Sequence, residues 1–468
     1  MPTSVEDVLS SIKDQITSVK NKLAEVLEEK ISPTSKALQT FESTVRELQM
    51  QLTSLYTSQK LQITVVSEEM ETAVQRLLRN LQGKFRMVSW RPHIIMLLGG
   101  MKITIYMPYY SRKCAPSKGI TPHLVLFGII QQMTPGVASI VAMLSTALSS
   151  YVEAARVLAE LGIQLNVKTI RLVTKAFAIH ARATKNATDT DPNPALLNGA
   201  ESNDIRRVVV STDGGRIRIR RKKRGRKGKQ RRDRYHADWR EPKLIIIIMV
   251  DANGRQDDSF SPLIDATMGG PNAAFALLES YLKRLSLKAV KIVFVSDGAK
   301  WIWKRVNKLF EQLSIKISEV MLLLDYYHAT QHLNDMASAK RGWKDSERKR
   351  WVKKMKKWLL EGNVANVIEE MKQITKGSHS KILRRELNYF KSHAKRLNYE
   401  AAKTAGLPIG SGAVESAIRR VINLRLKGPG IIWDEKGAEE MLLLRSFFKA
   451  GRWKQLEQWA FAPETLAA

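Results

Sequence analysis

Residues 244–250 read LIIIIMV, and this run decides the fold class. Seven apolar residues without polar alternation predict a β-strand that is buried on both faces, as in a sheet with helices on either side. Strand and helix patterns alternate around it between residues 205 and 330, with RIRIR at 216–220 as a candidate second strand. The sequence therefore predicts an α/β core.

Two of the predicted strands end in an aspartate followed by glycine. VVVSTDGG places Asp213 at the end of the first strand, and IVFVSDGA places Asp297 at the end of the fourth. A third acid, Glu415, lies in IGSGAVESAIRR, which is predicted to be helical. Carboxylate oxygens are ligands that Mg²⁺ and Mn²⁺ prefer, so the three acids predict a centre of two divalent ions that acts on phosphodiesters. One such Asp-Gly pair alone is more often an ordinary turn.

The residues around these acids have predicted roles as well. The glycines that follow Asp213 and Asp297 are expected to leave the carboxylates open to a phosphate. Ser411 is expected to cap the helix of Glu415. Asp251 and Asp265 also follow strand-like runs, and we assign both to turns.

The charge balance predicts a polyanionic partner. The chain has 77 Lys and Arg against 45 Asp and Glu, a net charge of +32, which indicates nucleic acid, with an anionic membrane surface as the alternative. Residues 1–85 hold ten basic and eleven acidic side chains, so the excess lies in the rest of the chain. Residues 119–152 are uncharged, but polar and turn residues divide them, and we predict two buried helices instead of a membrane span.

Cys114 is the only cysteine of the chain. It excludes an intramolecular disulfide and fits a reducing cytoplasm. One thiolate cannot supply a tetrahedral ligand set, so zinc is not expected.

The sequence predicts five regions, at residues 1–85, 86–200, 205–330, 331–405 and 406–460. The first is helical, either a hairpin packed on the body or a dimerisation helix pair. The second is a helical DNA-binding region with a helix-turn-helix at about 151–180, for which simple helix packing is the alternative. The third and fifth form the α/β core, and the fourth is a helical insertion between them.

Four segments resemble one family: STDGGR, VSDGAKWIW, DYYHATQHL and LPIGSGAVESAIRRVINLRLKGPGIIWDEKGAEEMLLLR. They look like the DDE transposases of prokaryotic insertion sequences, particularly the ISKra group, over roughly residues 95–455. The resemblance implies an α/β RNase H-like (retroviral-integrase-like) core with a helical insertion, preceded by all-α regions. It makes Asp213, Asp297 and Glu415 the catalytic triad and the ligands of two Mg²⁺ or Mn²⁺ ions.

The same resemblance implies a reaction and its partners. The ends of a transposon would be hydrolysed, and the freed 3′-hydroxyl would then attack target DNA. We expect a homodimer or higher oligomer, associated with DNA in a prokaryotic cytoplasm. Related transposases often carry paired cysteines before the helix-turn-helix, whereas this chain has only Cys114.

Asp325 and His328 in DYYH resemble an Asp-x-x-His element of several transposase groups. His328 either orients Asp325 or touches the scissile strand, and a structural role is an equal alternative. We do not assign either residue as a metal ligand. The tryptophans at 343, 351 and 358 suit one helix face, where core packing is favoured over stacking on a flipped base.

The run at residues 216–234 has thirteen Lys and Arg, which predicts a DNA-contacting hairpin loop beside Asp213, although such runs are often only solvated. The predicted DNA-binding residues are Arg220, Arg221, Lys222, Lys223, Arg224, Arg226, Lys227, Lys229, Arg231, Arg232, Lys168, Arg171, Arg419 and Arg420.

Two other functions use the same features. A structure-specific nuclease would have the same acids without joining DNA. A domesticated DNA-binding protein would keep the fold without the reaction.

Overall fold

The computed structural model describes residues 5–81, 83–112, 115–187, 206–225, 234–251, 253–285 and 290–462. Two compact units divide the chain: Met1–Asp189 together with Trp453–Ala468, and Thr190–Arg452. Cys114 lies outside the described residues, and so does most of the linker predicted at 185–204.

The first unit begins with three helices, α1 (Val5–Glu28), α2 (Ser35–Val65) and α3 (Glu68–Asn80). The chain breaks between α1 and α2 around Pro33, as the sequence predicted, and the two helices pack together as a hairpin. Dimerisation through this hairpin stays a prediction.

A three-stranded antiparallel sheet follows where only helices were expected. Its strands are β1 (Phe85–Met96), β2 (Lys102–Arg112) and β3 (Ala115–Ile120), in that order. The all-α prediction for this part was wrong because prolines interrupt a real period-two pattern, in which Ile103, Ile105 and Met107 are buried. The buried amide of Gln62 on α2 pairs with both backbone groups of Tyr106.

Four more helices continue the first unit: α4 (Pro122–Leu126), α5 (Pro135–Ala147), α6 (Tyr151–Glu160) and α7 (Val167–Ala187). The uncharged stretch is two helices as expected, and among the described residues no helix has the length and apolar character needed to cross a membrane. Helices α6 and α7 are joined by a turn where Gly162 has φ 81°, so two helices stand where a helix-turn-helix is predicted, and the motif itself stays a prediction. Its contact with DNA stays a prediction.

The described part of the second unit contains seven strands: β4 (Arg206–Gly214), β5 (Ile217–Lys222), β6 (Tyr235–Arg240), β7 (Lys243–Val250), β8 (Leu263–Thr267), β9 (Val290–Ser296) and β10 (Val320–Leu324). Five of them form one sheet in the order β10-β9-β4-β7-β8. Strand β4 runs antiparallel to β7 and parallel to β9, β7 runs antiparallel to β8, and β9 runs parallel to β10.

Strand β7 is the LIIIIMV run, and its residues from Lys243 to Ile248 are all buried, as predicted for a strand covered on both faces. Helices α8 (Gly270–Arg284), α9 (Lys300–Trp303) and α10 (Val306–Gln312) follow β8 and β9. Their apolar residues form one core with those of the sheet, including Val210, Ile247 and Phe294. The placement of β4 beside β9 brings the ends of the first and fourth strands of the sheet together.

Two details of the predicted sheet were wrong. RIRIR is β5, which pairs with β6 in a separate hairpin, and the third strand of the main sheet is β8. Asp265 lies inside β8 and not in a turn, because Tyr281 buries it and donates a hydrogen bond of 3.0 Å to Oδ2. Asp251 does sit in a turn, where Oδ1 accepts from the N–H groups of Asn253 and Arg255.

The region expected to be a helical insertion is helical in the structure. Its helices are α11 (Tyr326–Ala339), α12 (Asp345–Leu360), α13 (Val364–Thr375), α14 (Lys381–His393) and α15 (Tyr399–Thr404). Trp351 is buried in their shared core, and Trp343 and Trp358 pack against it. These contacts favour core packing over base stacking for the three tryptophans.

The chain then forms α16 (Gly412–Ala417), a π-helix (Ile418–Asn423), α17 (Leu424–Leu426) and α18 (Glu435–Lys449). Arg445 on α18 is buried, and its guanidinium donates hydrogen bonds to the carbonyls of Arg420 and Val421. Burial lowers the pKa of Arg445 to about 10, and the charge of Arg425 adds to the shift. Arg445 therefore supports the π-helix directly after the segment that carries Glu415.

The last helix, α19 (Trp453–Ala460), belongs to the first unit, whereas residues 406–460 were expected to complete the core. The reason is apolar packing: Trp453 stacks on Phe177 of α7 at 5.4 Å between ring centroids. Thr184 of α7 also donates a 2.8 Å hydrogen bond to the carbonyl of Trp459.

We expect Arg445→Leu to lower the free energy of unfolding by about 1–3 kcal/mol, because it leaves buried carbonyls of the π-helix without donors. Lys436→Leu, on the exposed side of the same helix, is the matched control and should change it by less than about 0.5 kcal/mol. Urea unfolding measures both. Equal effects of the two substitutions would contradict a supporting role for Arg445.

Candidate active site

Asp213 and Asp297 lie at the ends of two adjacent parallel strands. The last pair of residues in the β4–β9 register is Val210 with Phe294, and beyond it serine side chains join the strands. The hydroxyl of Ser211 donates to the carbonyl of Val295 at 2.6 Å, and that of Ser296 donates to the carbonyl of Thr212 at 2.6 Å. Ser211, two residues before Asp213, and Ser296, directly before Asp297, thus hold together the strand ends that carry the acids.

The environment of these two aspartates opposes ionisation. Burial raises the pKa of Asp213 to about 6, and the negative charges of Asp297 and Glu241 add to the shift. Burial also raises the pKa of Asp297, with Asp325 and Glu241 contributing. Glu241, which follows β6, was not predicted as part of the site. Desolvated carboxylates that repel one another are a suitable donor set for Mg²⁺ or Mn²⁺, since a cation removes the repulsion.

Asp325 is a structural acid at the start of α11. It is fully buried, its Oδ1 accepts from the N–H of His328 at 2.7 Å, and its Oδ2 accepts from the N–H of Ser411. Burial by itself raises the pKa of Asp325, but these hydrogen bonds lower it to about 2. Because both oxygens are engaged, Asp325 serves as a clamp between α11 and the segment before Glu415.

His328 joins Asp325 to Glu415. Its Nδ1 lies 3.3 Å from Asp325 Oδ1 and 3.5 Å from Glu415 Oε1. The partnership with Asp325 raises the pKa of His328 to about 9, and the charges of Asp297 and Glu415 add to it. His328 is therefore a cation at neutral pH, placed among the acids of the site.

Glu415 lies in the first turn of α16, and half of its side chain is exposed. Ser411 occupies the capping position, but its hydroxyl makes no hydrogen bond to the helix, so the predicted side-chain cap was wrong. The N–H of Ser411 is fixed by Asp325 instead, and its carbonyl accepts from the N–H of Glu415 at 3.2 Å. Glu415 thus takes its position from α11 through Asp325.

Among the described residues, two groups of three have ligand atoms within 4.8 Å of one another: Asp325, His328 and Glu415, and His332, Asp335 and Glu386. The predicted triad is not gathered this closely. In the second group, Glu386 already binds His332 at 2.5 Å and Arg385 at 2.6 Å. In both groups the side chains already contact one another or neighbouring polar groups, and the triad of Asp213, Asp297 and Glu415 stays a prediction.

The glycines beside the acids do not leave open space. A Cβ added at Gly298 would lie 2.2 Å from Cε2 of Tyr389, and one at Gly214 would lie 1.9 Å from a carboxylate oxygen of Glu241. These contacts concern the space beside each glycine, and the open approach of a phosphate to the carboxylates stays a prediction. The glycines are needed because other side chains of the second unit pack directly on the backbone of the acidic loops.

Three rings of the insertion and Trp303 of α9 form a row beside the Asp297 loop. Tyr389 of α14 stacks on His332 at 3.8 Å and lies 4.9 Å from the ring of His393. Trp303 follows at 6.0 Å, and its Nε1 donates a 2.6 Å hydrogen bond to the carbonyl of Asp297. Sequence patterns gave no indication of this row, because its members are spread over the chain between residues 303 and 393.

The predicted DNA-binding residues differ in availability. Arg220, Lys222, Lys223 and Arg224 are exposed, whereas Arg221 forms a 2.8 Å ion pair with Glu435. Arg419 is exposed and Arg420 is half-buried on the π-helix, and Lys168 and Arg171 are exposed on α7 of the first unit. Arg226, Lys227, Lys229, Arg231 and Arg232 lie outside the described residues.

Comparisons with protein-family models, with curated proteins and with solved structures found no match for this chain. The function therefore has to be inferred from the arrangement of these side chains.

We expect Gly298→Ala to cost about 1–3 kcal/mol of unfolding free energy, because the added methyl group overlaps the ring of Tyr389. In a Tyr389→Ala background the same substitution should cost much less, since the obstructing ring is gone. A double-mutant cycle by urea unfolding measures the coupling. If the two effects simply add, Tyr389 does not fix the Asp297 loop.

Proposed function

We propose that this chain is a DNA transposase that cleaves the ends of a mobile element and joins them to target DNA with the help of divalent metal ions. The observation that carries the proposal is the meeting of Asp213, Asp297 and the Asp325–His328–Glu415 cluster around one end of the sheet. The strand order β8-β7-β4-β9-β10 supports an RNase H-like core, since the first and fourth strands of the sheet are parallel neighbours that end in the two aspartates.

Each residue has a role in this proposal. Asp213, Asp297 and Glu415 would hold Mg²⁺ or Mn²⁺, which when bound supplies positive charge at the scissile phosphate. Asp325 fixes His328 and the start of α16 through its two backbone hydrogen bonds. His328 balances the charge of the acids, and its exposed edge is available to a phosphate.

Joining DNA distinguishes a transposase from a nuclease on the same core. The test supplies pre-cleaved ends with free 3′-hydroxyl groups and a supercoiled target, in Mg²⁺ or Mn²⁺. Products that link the end to the target support the transposase. Cleavage without linked products supports the nuclease, and binding without either reaction supports a non-catalytic DNA-binding protein.

Asp297→Asn is expected to abolish metal-dependent cleavage while end binding changes less than about 2-fold, because it removes one ligand charge and leaves the basic surface intact. Asp258→Asn, at an exposed position of the same unit, is the matched control and should cleave like the unmodified chain. Gel assays of cleavage and binding measure both. Wild-type cleavage by the Asp297 variant would exclude this residue from the site.

Replacing Arg220, Lys222, Lys223 and Arg224 by glutamine should weaken binding to all DNA sequences alike. Each phosphate contact contributes about 0.9 to the slope of log affinity against log salt, so the slope should fall by roughly 2–4. Fluorescence anisotropy at several salt concentrations measures it. An unchanged slope would show that these side chains do not contact DNA.

A further inference from the structure

The β5–β6 hairpin presents a face of alternating cationic and aromatic side chains. Its register places Arg218 opposite Trp239 and Lys222 opposite Tyr235, with Arg220 between them. Because alternate residues of a strand point to the same side, these five residues share one face. We call it the outer face of the hairpin.

The two aromatic rings of the outer face are left in solvent. Trp239 is 52% exposed and Tyr235 is 46% exposed. Guanidinium groups lie over both rings, with Arg216 5.2 Å and Arg218 5.9 Å from the centre of Trp239, and Arg220 4.3 Å from the centre of Tyr235. A large exposed ring next to fixed positive charges is typical of a surface that stacks bases and binds their phosphates.

The hairpin does not need these rings for its own attachment. Ile217 and Ile219 on the opposite face are fully buried. The backbone of β5 also bonds to Trp433. The N–H of Arg220 donates to the carbonyl of Trp433 at 2.7 Å, and the N–H of Trp433 donates to the carbonyl of Arg218 at 3.0 Å. The exposed rings are therefore available for a ligand.

Both ends of the hairpin lie next to acids of the candidate active site, Asp213 before β5 and Glu241 after β6. Strand β5 begins just after Asp213, and β6 is followed by Glu241, whose carboxylate packs on Gly214. The two ends are tied by a 2.9 Å hydrogen bond from the N–H of Gly215 to the carbonyl of Pro242. A strand bound on the outer face would thus run toward the acids.

We propose that the outer face binds single-stranded DNA, with unpaired bases stacked on Trp239 and Tyr235 and phosphates bound by Arg218, Arg220 and Lys222. The inference deepens the proposed function and rests on it. Base faces are accessible for stacking only in unpaired DNA, whereas in a duplex they are covered by the neighbouring base pairs. The two aromatic positions lie about 13 Å apart along the strand, so they engage two separate bases.

The test uses the full chain, a fluorescein-labelled oligothymidylate and a duplex of the same length, with EDTA present so that nothing is cleaved. Trp239→Ala should lower affinity for the oligothymidylate about 5- to 150-fold, the loss expected for one stacked base. Affinity for the duplex should change less than about 2-fold, because every positive charge remains. Tyr235→Ala should act in the same direction.

Two controls separate stacking from indirect effects. Trp239→Phe keeps a ring and should retain most of the affinity for the oligothymidylate. Tyr56→Ala removes another exposed ring, 42% exposed and with the Lys20 ammonium 5.6 Å from its centre, in the N-terminal hairpin, and should change neither affinity.

Equal losses for the oligothymidylate and the duplex, or no loss in either alanine variant, would overturn the stacking proposal. If the unmodified chain still cleaves DNA in Mg²⁺ in that case, the proposed function stands alone. If the unmodified chain binds neither DNA, both proposals fall.

Discussion

The second unit depends on keeping like charges close together at the end of two parallel strands. Desolvated carboxylates repel each other, and burial raises the pKa of both Asp213 and Asp297. The backbone limits this repulsion, since the N–H of Gly214 bonds to Asp213 at 2.6 Å and that of Ala299 to Asp297 at 3.0 Å. The strands cannot separate to relieve it, because the hydroxyls of Ser211 and Ser296 join them.

The two ends of the helical insertion are joined to each other next to the candidate active site. Its first residue after the clamp, Tyr326, donates a 3.0 Å hydrogen bond to the carbonyl of Ile409, and Asp325 binds the N–H of Ser411. The segment that leads to Glu415 therefore starts beside the strand end at which the insertion begins. Asp297 and Glu415 are 118 residues apart in the sequence, but these hydrogen bonds bring the segments that carry them to the same end of the sheet.

The sequence predicted several strands and their ends, because these depend on residues that are close together in the chain. The unbroken LIIIIMV run identified β7, and the strand ends identified the positions of Asp213 and Asp297. Glu241 joins the site only because the β5–β6 hairpin folds back beside Gly214, and Tyr389 joins it only because α14 packs on Gly298. Such proximity depends on tertiary packing. The spacing of residues in the sequence does not predict which distant side chains will lie beside the acids.

The strands between residues 85 and 120 were missed for a different reason. Alternation in β2 is genuine, with Ile103, Ile105 and Met107 buried, but Pro92 and Pro108 fall inside the paired strands and obscure the strand pattern. Pro92 lies in β1, at the edge of the sheet, where proline is tolerated, whereas Pro108 lies in the central strand β2, where it is unusual. Pairing with the neighbouring strand and burial against α2 overrode that local preference.

The return of α19 to the first unit bears on the order of events during synthesis. The second unit is continuous in the chain and has all its residues once Arg452 has left the ribosome. The first unit starts earlier but still lacks the ring that stacks on Phe177, because Trp453 is made later. The part of the chain that is synthesised first is therefore the last to complete its core.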